Sequence, residues 1–267
     1  MNSKKLKLPI LGLATVLGAA SSLMLSGTVR ADLTVETENK STTVTPDPAS
    51  PHKLTGNIGV YSKYILRGIT NTPENNEPSI QGGVDYTHAS GFYLGYWGSN
   101  LGYADPGKSN GFENDFYGGY AGSAGPVTYS IGLIKYIYLH LDNFDGLEAV
   151  GTVGTGPVTL GFKYLTDDVV WGNKGDTYWT LGYKTALPMD FSLGATLGYY
   201  VYKDSGKYIA STVENSAFRH LDLNLSHPIG NTGATAGITY VVGGKDRNGV
   251  NQDNDVVLNI GYGFDFK

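Results

Sequence analysis

The chain has 267 residues, of which only 16% are charged against about 25% in an ordinary soluble domain, while 38 are glycine and 20 tyrosine. Cysteine is absent, which excludes disulfides, thiol catalysis and Cys-ligated metals. The formal net charge is −5; removing residues 1–31 takes four of the 19 basic residues and none of the 24 acidic ones, leaving 15 against 24 and a net of −9, so no nucleic-acid partner is expected.

At the start, Lys4, Lys5 and Lys7 precede an apolar run from Leu8 to Leu25 that ends in Thr28-Val29-Arg30-Ala31. This is the pattern of a signal peptide, residues 1–31, with cleavage expected after Ala31. Residues 32–55, rich in Thr, Ser, Pro and Glu and without a period, read as a flexible periplasmic lead-in. Beyond the signal peptide no run of 18 apolar residues remains, so transmembrane helices are excluded by length. A membrane protein without them must be a closed barrel, because an open sheet edge cannot be satisfied in lipid.

From Gly56 to the last residue, apolar side chains alternate with small or polar ones, the period-2 signature of strands with two unlike faces. Twelve strands are predicted, at about 57–69, 78–88, 92–102, 113–122, 126–138, 147–155, 157–166, 176–185, 191–203, 217–227, 232–243 and 254–266. Each is close to the ~9–11 residues a tilted strand needs to cross the hydrocarbon layer, and an even number suits a bacterial single-chain barrel. The first places Ile58, Val60, Tyr64 and Leu66 on one face and Asn57, Gly59, Tyr61, Lys63 and Arg67 on the other. The connections alternate: long and polar at 70–77, 103–112, 139–146, 167–175, 204–216 and 244–253, short between. Long loops outside and short turns in the periplasm are the two ends of an outer-membrane barrel.

The ninth strand sets Phe191, Leu193, Ala195, Leu197, Tyr199 and Val201 against Ser192, Gly194, Thr196 and Gly198. A water-soluble barrel would carry Lys and Glu outside; polar faces made of Gly, Ser, Thr and Asn suit a crowded wet lumen enclosed by lipid. Tyr64, Tyr86, Phe92, Tyr164, Tyr183, Tyr199, Tyr240 and Tyr262 are candidates for the aromatic girdles at the membrane interfaces. The fold class expected is all-β, a transmembrane up-and-down antiparallel barrel over residues 56–267.

The stretches Gly56-Asn57-Ile58-Gly59-Val60-Tyr61-Ser62-Lys63-Tyr64-Ile65-Leu66-Arg67-Gly68-Ile69, Gln81-Gly82-Gly83-Val84-Asp85-Tyr86 and Ser90-Gly91-Phe92-Tyr93-Leu94-Gly95-Tyr96-Trp97-Gly98-Ser99-Asn100 resemble the TorF family of porins. The resemblance is specific over residues 56–103 and rests on strand rhythm beyond them. It implies an outer-membrane barrel with a channel role. Many such barrels end in an aromatic residue read by the barrel-assembly machinery, whereas here Lys267 follows Phe266.

Eleven residues are predicted to line the pore: Lys63, Arg67, Gln81, Asp85, Glu113, Asp115, Glu148, Lys163, Lys184, His220 and Asp222. Opposed acidic and basic side chains would screen solutes by charge; the same residues could instead pair and fill the barrel. Twelve strands lie between the roughly eight of a filled barrel and the sixteen to eighteen of an open porin, which predicts a narrow lumen. Glycines such as Gly132 and Gly194 are expected to hold it open. His220, Asn224 and Ser226 alternate along one lumen-facing strand and do not converge as a nucleophile and base must, so no enzyme is expected. The five histidines show no metal-ligand spacing. Residues 246–255 offer oxygens at alternate positions but lack the closing Glu of a calcium loop. No cofactor is called for. The expected partners are outer-membrane lipid and lipopolysaccharide, the assembly machinery and small hydrophilic solutes. The function expected is a channel for passive diffusion of small solutes or ions, the alternative being a structural or surface-interaction barrel with a closed lumen.

Overall fold

The computed structural model describes residues 50–71 and 77–266. The expected signal peptide and most of the lead-in lie outside them. Twelve strands follow in order: β1 His52–Tyr61, β2 Ser79–His88, β3 Phe92–Asn100, β4 Phe112–Ala124, β5 Val127–Leu139, β6 Gly146–Thr155, β7 Val158–Leu165, β8 Thr177–Ala186, β9 Ser192–Val201, β10 Ser216–Pro228, β11 Ala234–Gly243 and β12 Asp255–Asp265. Each pairs antiparallel with its neighbours, and β1 closes on β12 from Thr55 opposite Asp265 to Tyr61 opposite Asn259. The sheet is a closed barrel of twelve strands, as the alternation predicts.

Closure follows from the pleat. Successive side chains point to opposite sides, so each strand carries one apolar and one small or polar row. The apolar rows face out: Ile58, Leu94 and Ile131 keep 51%, 63% and 63% of their surface exposed. Six of the seven girdle aromatics other than Tyr64, among them Phe92, Tyr183 and Tyr240, are exposed on this outer side. A single shift of register would turn a whole apolar row inward, and the one irregularity recorded on the ladders, between Phe218 and His220, leaves both rows in phase on either side of it.

Two expectations need correction at the beginning of the barrel. β1 starts at His52, within the segment read as lead-in, and it stops at Tyr61 rather than continuing to Ile69. Residues 62–71 instead turn into the barrel. Tyr64, assigned to a membrane girdle, is 1% exposed and lies inside it. The turn is made at Arg67 and Gly68, whose φ angles of 48° and 72° are both left-handed. A Cβ on Gly68 would collide with His220 on β10, so this position admits only glycine.

Candidate functional site: the lumen and its plug

The inward row changes character along the barrel. At the short-turn end it includes Thr55, Asn57, Thr128, Thr159, Gly182, Thr196, Asn224 and Ser226, all half-exposed, while Tyr93, Ser130 and Thr235 at the same end are buried. Beside Gly194 the nearest atom a Cβ would meet is Asn224 Cβ at 3.7 Å, and beside Gly182 it is the Thr159 carbonyl oxygen at 3.6 Å. This half is a wet vestibule. At the long-loop end the same row is buried throughout.

What closes it is the 62–71 segment. Tyr64 packs with Trp97, Ile134, Tyr136 and Val150 on the β3–β6 wall, while the adjacent Ile65 packs with Tyr61, Val241 and Val257 on the wall where β1, β11 and β12 meet. Two neighbouring residues thus touch opposite sides of the barrel. Burying Ile65 alone contributes about 1.5–3 kcal/mol.

Arg67 forms the tip. Its guanidinium donates to both carboxylate oxygens of Glu148 on β6, at 2.9 and 2.7 Å, and to the hydroxyls of Tyr200 on β9 and of Tyr136 on β5, the latter at 3.3 Å. It lies 4.9 Å from the ring centre of Tyr178 on β8. Tyr136 in turn donates to Glu148 at 2.7 Å and accepts from Lys163 on β7 at 3.2 Å. A planar fork matched to a carboxylate and stacked on an aromatic face is a role for arginine that lysine cannot copy.

The other predicted pore residues divide by level. Glu113 accepts from Tyr64 and, at 3.0 Å, from Tyr138; Asp115 is fully buried between Trp97 and Tyr136 in the pairing register. His220 meets Asp222 through Nδ1 at 2.8 Å and the Tyr178 hydroxyl through Nε2 at 2.6 Å. Gln81 donates to Ser79 at 3.0 Å, and Asp85 accepts from Tyr117. Lys184 is exposed in the vestibule. Lys63 and Arg67 are corrected in position: both belong to the inserted segment rather than to the wall, and Lys63 bonds Asp255 at 2.6 Å at the head of β12. Gly132, expected to widen the lumen, is packed beneath the Tyr93 hydroxyl, whereas Gly194 does border open space.

Sequence reasoning missed the tyrosine hydroxyls that satisfy these charges and the fastening of the plug to the outer loops. The tyrosines were legible in principle, since Tyr136, Tyr178 and Tyr200 share the inward parity of the charged row. The fastening was not: the Thr70 amide and hydroxyl donate to Gln252 and to the Asp253 carbonyl at 3.1 and 2.6 Å, and Asn71 bonds the 244–254 loop in both directions. That loop is clamped further by Arg247, which pairs with Asp176 and lies 4.9 Å from the Tyr202 ring. Burial pushes the Asp176 carboxyl above the usual carboxylate range, against Arg247 and two backbone amides that hold it down.

Other candidate chemistry resolves into structure. Asp246 accepts from the amides of Asn248 and Val250, so its carboxylate closes the 246–255 turn. Asn224 donates to Thr239 at 2.8 Å, and both ring nitrogens of His220 are engaged elsewhere. His52 and His88 meet across β1 and β2 with ring centres 5.1 Å apart, a pairing no sequence spacing indicates. Among the described residues there is no group of three or more side chains suited to hold a metal ion.

With the geometry in view, comparison places the chain. Residues 45–258 match the family model described as a bacterial protein of unknown function, Gcw_chp. No curated protein matches the sequence. Among solved structures, an outer-membrane channel from Pseudomonas putida F1 is similar at a TM-score of 0.50 and 10% identity, over 84% of this chain and 100% of that one. A structure described as KdgM porin is similar at 0.48 and 8%, over 80% and 99%. At such identities the likeness is one of fold, and the TorF name has no support in it.

Proposed function

The chain belongs to the Gcw_chp family of bacterial proteins of unknown function, and from that premise and its lumen we propose that it is a porin-like outer-membrane channel passing small hydrophilic solutes or ions by diffusion. It reaches that membrane as an exported protein, cleaved after Ala31, and meets lipid, lipopolysaccharide and the assembly machinery there. The observation that carries the reading is the unlike make-up of wall and stopper. The wall carries polar and charged side chains at both ends, half-exposed at the short-turn end and buried among Trp97, Ile134, Val150, Val241 and Val257 at the other, while the stopper is a loop outside the strand ladder.

The names of the two similar structures support the same reading, since one is called an outer-membrane channel and the other a porin. The competing reading, a surface-interaction barrel with a closed lumen, is favoured by the filled cross-section around Arg67. Replacing residues 63–71 with a short Gly-Ser linker separates them. In planar bilayers the linker variant of a channel gives discrete conductance steps, and a reversal potential under a salt gradient reports its charge preference. A linker variant that folds and stays electrically silent overturns the proposal in favour of the closed barrel.

A further inference from the structure

The wall behind the plug is not an apolar core alone: beside Trp97, Ile134, Val150, Val241 and Val257 it carries a row of charged side chains. A cross-section meant to stay filled would be apolar, because an ionised group out of water must find a partner for every charge. Here Glu113, Asp115, Glu148, Lys163, His220 and Asp222 all project from strands into the plugged half, each 7% exposed or less. Such a row suits a wall that meets water in another state.

The plug is also separable from the barrel. β1 closes on β12 and pairs β2 from His52 opposite His88 to Tyr61 opposite Ser79, all before residue 62. The ladder would therefore stay intact with the segment withdrawn. Within 63–71 the Ile69 amide is satisfied by the Leu66 carbonyl, a local turn that moves with the segment. Its polar attachments fall at three levels: Lys63 on Asp255, Tyr64 and Arg67 on Glu113, Glu148, Tyr136 and Tyr200 of the wall, and Thr70 with Asn71 on the 244–254 loop. The first and last are at the mouth of the barrel and the second is in the middle. The left-handed backbone at Arg67, a residue type that seldom adopts it, is strain released on leaving.

We infer that residues 63–71, beyond Ser62 whose amide still bonds the Leu258 carbonyl of β12, are a gate caught in its closed position, with the Arg67–Glu148 pair as the lock and the 244–254 loop as an external latch. This rests on the channel reading and adds its regulation. Withdrawal hydrates Arg67, Glu148 and Lys163, which lowers the cost of separating them and keeps the two states close in free energy. Because the latch lies among the outer loops, whatever engages the exposed Asn251 or Asp253 from outside biases the gate without entering the lumen.

The chain has no cysteine, so a reversible lock can be installed cleanly. The Thr70 hydroxyl donates to the Asp253 carbonyl at 2.6 Å, which brings the two residues close. The experiment is single-channel recording of the Thr70→Cys/Asp253→Cys barrel in planar bilayers, oxidised and then reduced. The expected result is a silent oxidised barrel that begins to switch between shut and open on adding dithiothreitol. Arg67→Ala, which strands Glu148 in the closed state only, is expected to raise the open fraction by about tenfold or more. An oxidised barrel, its disulfide verified by mass, that conducts as the reduced one does overturns the gate while leaving the channel standing. Should the disulfide not form, an open fraction unchanged by Arg67→Ala has the same force. Silence of the folded linker variant removes the channel reading itself, a separate failure.

Discussion

Arg67 reaches β5, β6 and β9 at once from a backbone position that no strand supports, and its partner Glu148 is 2% exposed. Removing Arg67 leaves Glu148 with Lys163 at 4.0 Å and the Tyr136 hydroxyl as its remaining partners, whereas removing both members leaves the Lys163 charge alone of the three. Arg67→Ala is therefore expected to lower stability by about 3–5 kcal/mol. The double change Arg67→Leu/Glu148→Leu should recover part of that, the Lys163 ammonium having lost the carboxylate 4.0 Å away. Since withdrawal of the loop would relieve the single variant, the comparison is made with Thr70 and Asp253 joined by a disulfide. Urea unfolding in detergent micelles, followed by tryptophan fluorescence, reads each variant. A double loss equal to the sum of the losses of Arg67→Leu and Glu148→Leu made singly would mean the pair is not coupled. At the next position Gly68→Ala meets both a left-handed φ of 72° and the His220 side chain, and it should expel the loop even though one methyl is added. A rise in the accessibility of Tyr64 and Trp97 to a soluble quencher checks it.

Among the strands, β8 and β9 border the vestibule and β4 and β5 border a packed wall, and glycine has opposite meanings in the two places. At Gly194 a larger side chain enters open water, so Gly194→Trp should fold normally and cut the conductance of the linker variant. At Gly132 a Cβ runs into the Tyr93 hydroxyl and the Gly118 carbonyl, so Gly132→Trp should impair folding, visible as loss of the heat-modifiable band on a cold gel. Alternation made eleven strands legible to within a few residues, because period 2 survives any loop and the lipid face tolerates little but apolar side chains. It failed at the end of β1. Tyr61 to Arg67 still reads as a strand, and nothing local says that Ile65 will pack on Val241 and Val257, far along the chain. Which residues face inward follows from parity alone, hence Gln81, Asp85, Glu113, Asp115, Glu148, Lys163, Lys184, His220 and Asp222 on the inner wall. Whether they meet water or a folded-in loop depends on contacts across the barrel that spacing does not encode.

For the molecule as a whole, the decisive relation is between its two surfaces. Apolar side chains cover the outside, and apart from Lys135 on β5 the charges that a soluble protein would display there are gathered inside or in the loops. That inversion is stable only if the solvent is inverted too, with hydrocarbon around the wall and water at the ends. Neighbouring residues on β9 test it most directly. Leu197 points out and Thr196, opposite Asp222 in the register, points in. Near the middle of a membrane-crossing strand, Leu197→Arg should cost about 2–4 kcal/mol when the barrel is unfolded from lipid vesicles. Thr196→Arg, with water and the Asp222 carboxylate beside it, should cost far less. In a barrel surrounded by water the ranking reverses, since an exposed arginine there is nearly free and an inward one must displace core. Measured in vesicles, a Leu197→Arg barrel as stable as the parent would place its outer wall against water, and the channel would lose the membrane it is supposed to cross.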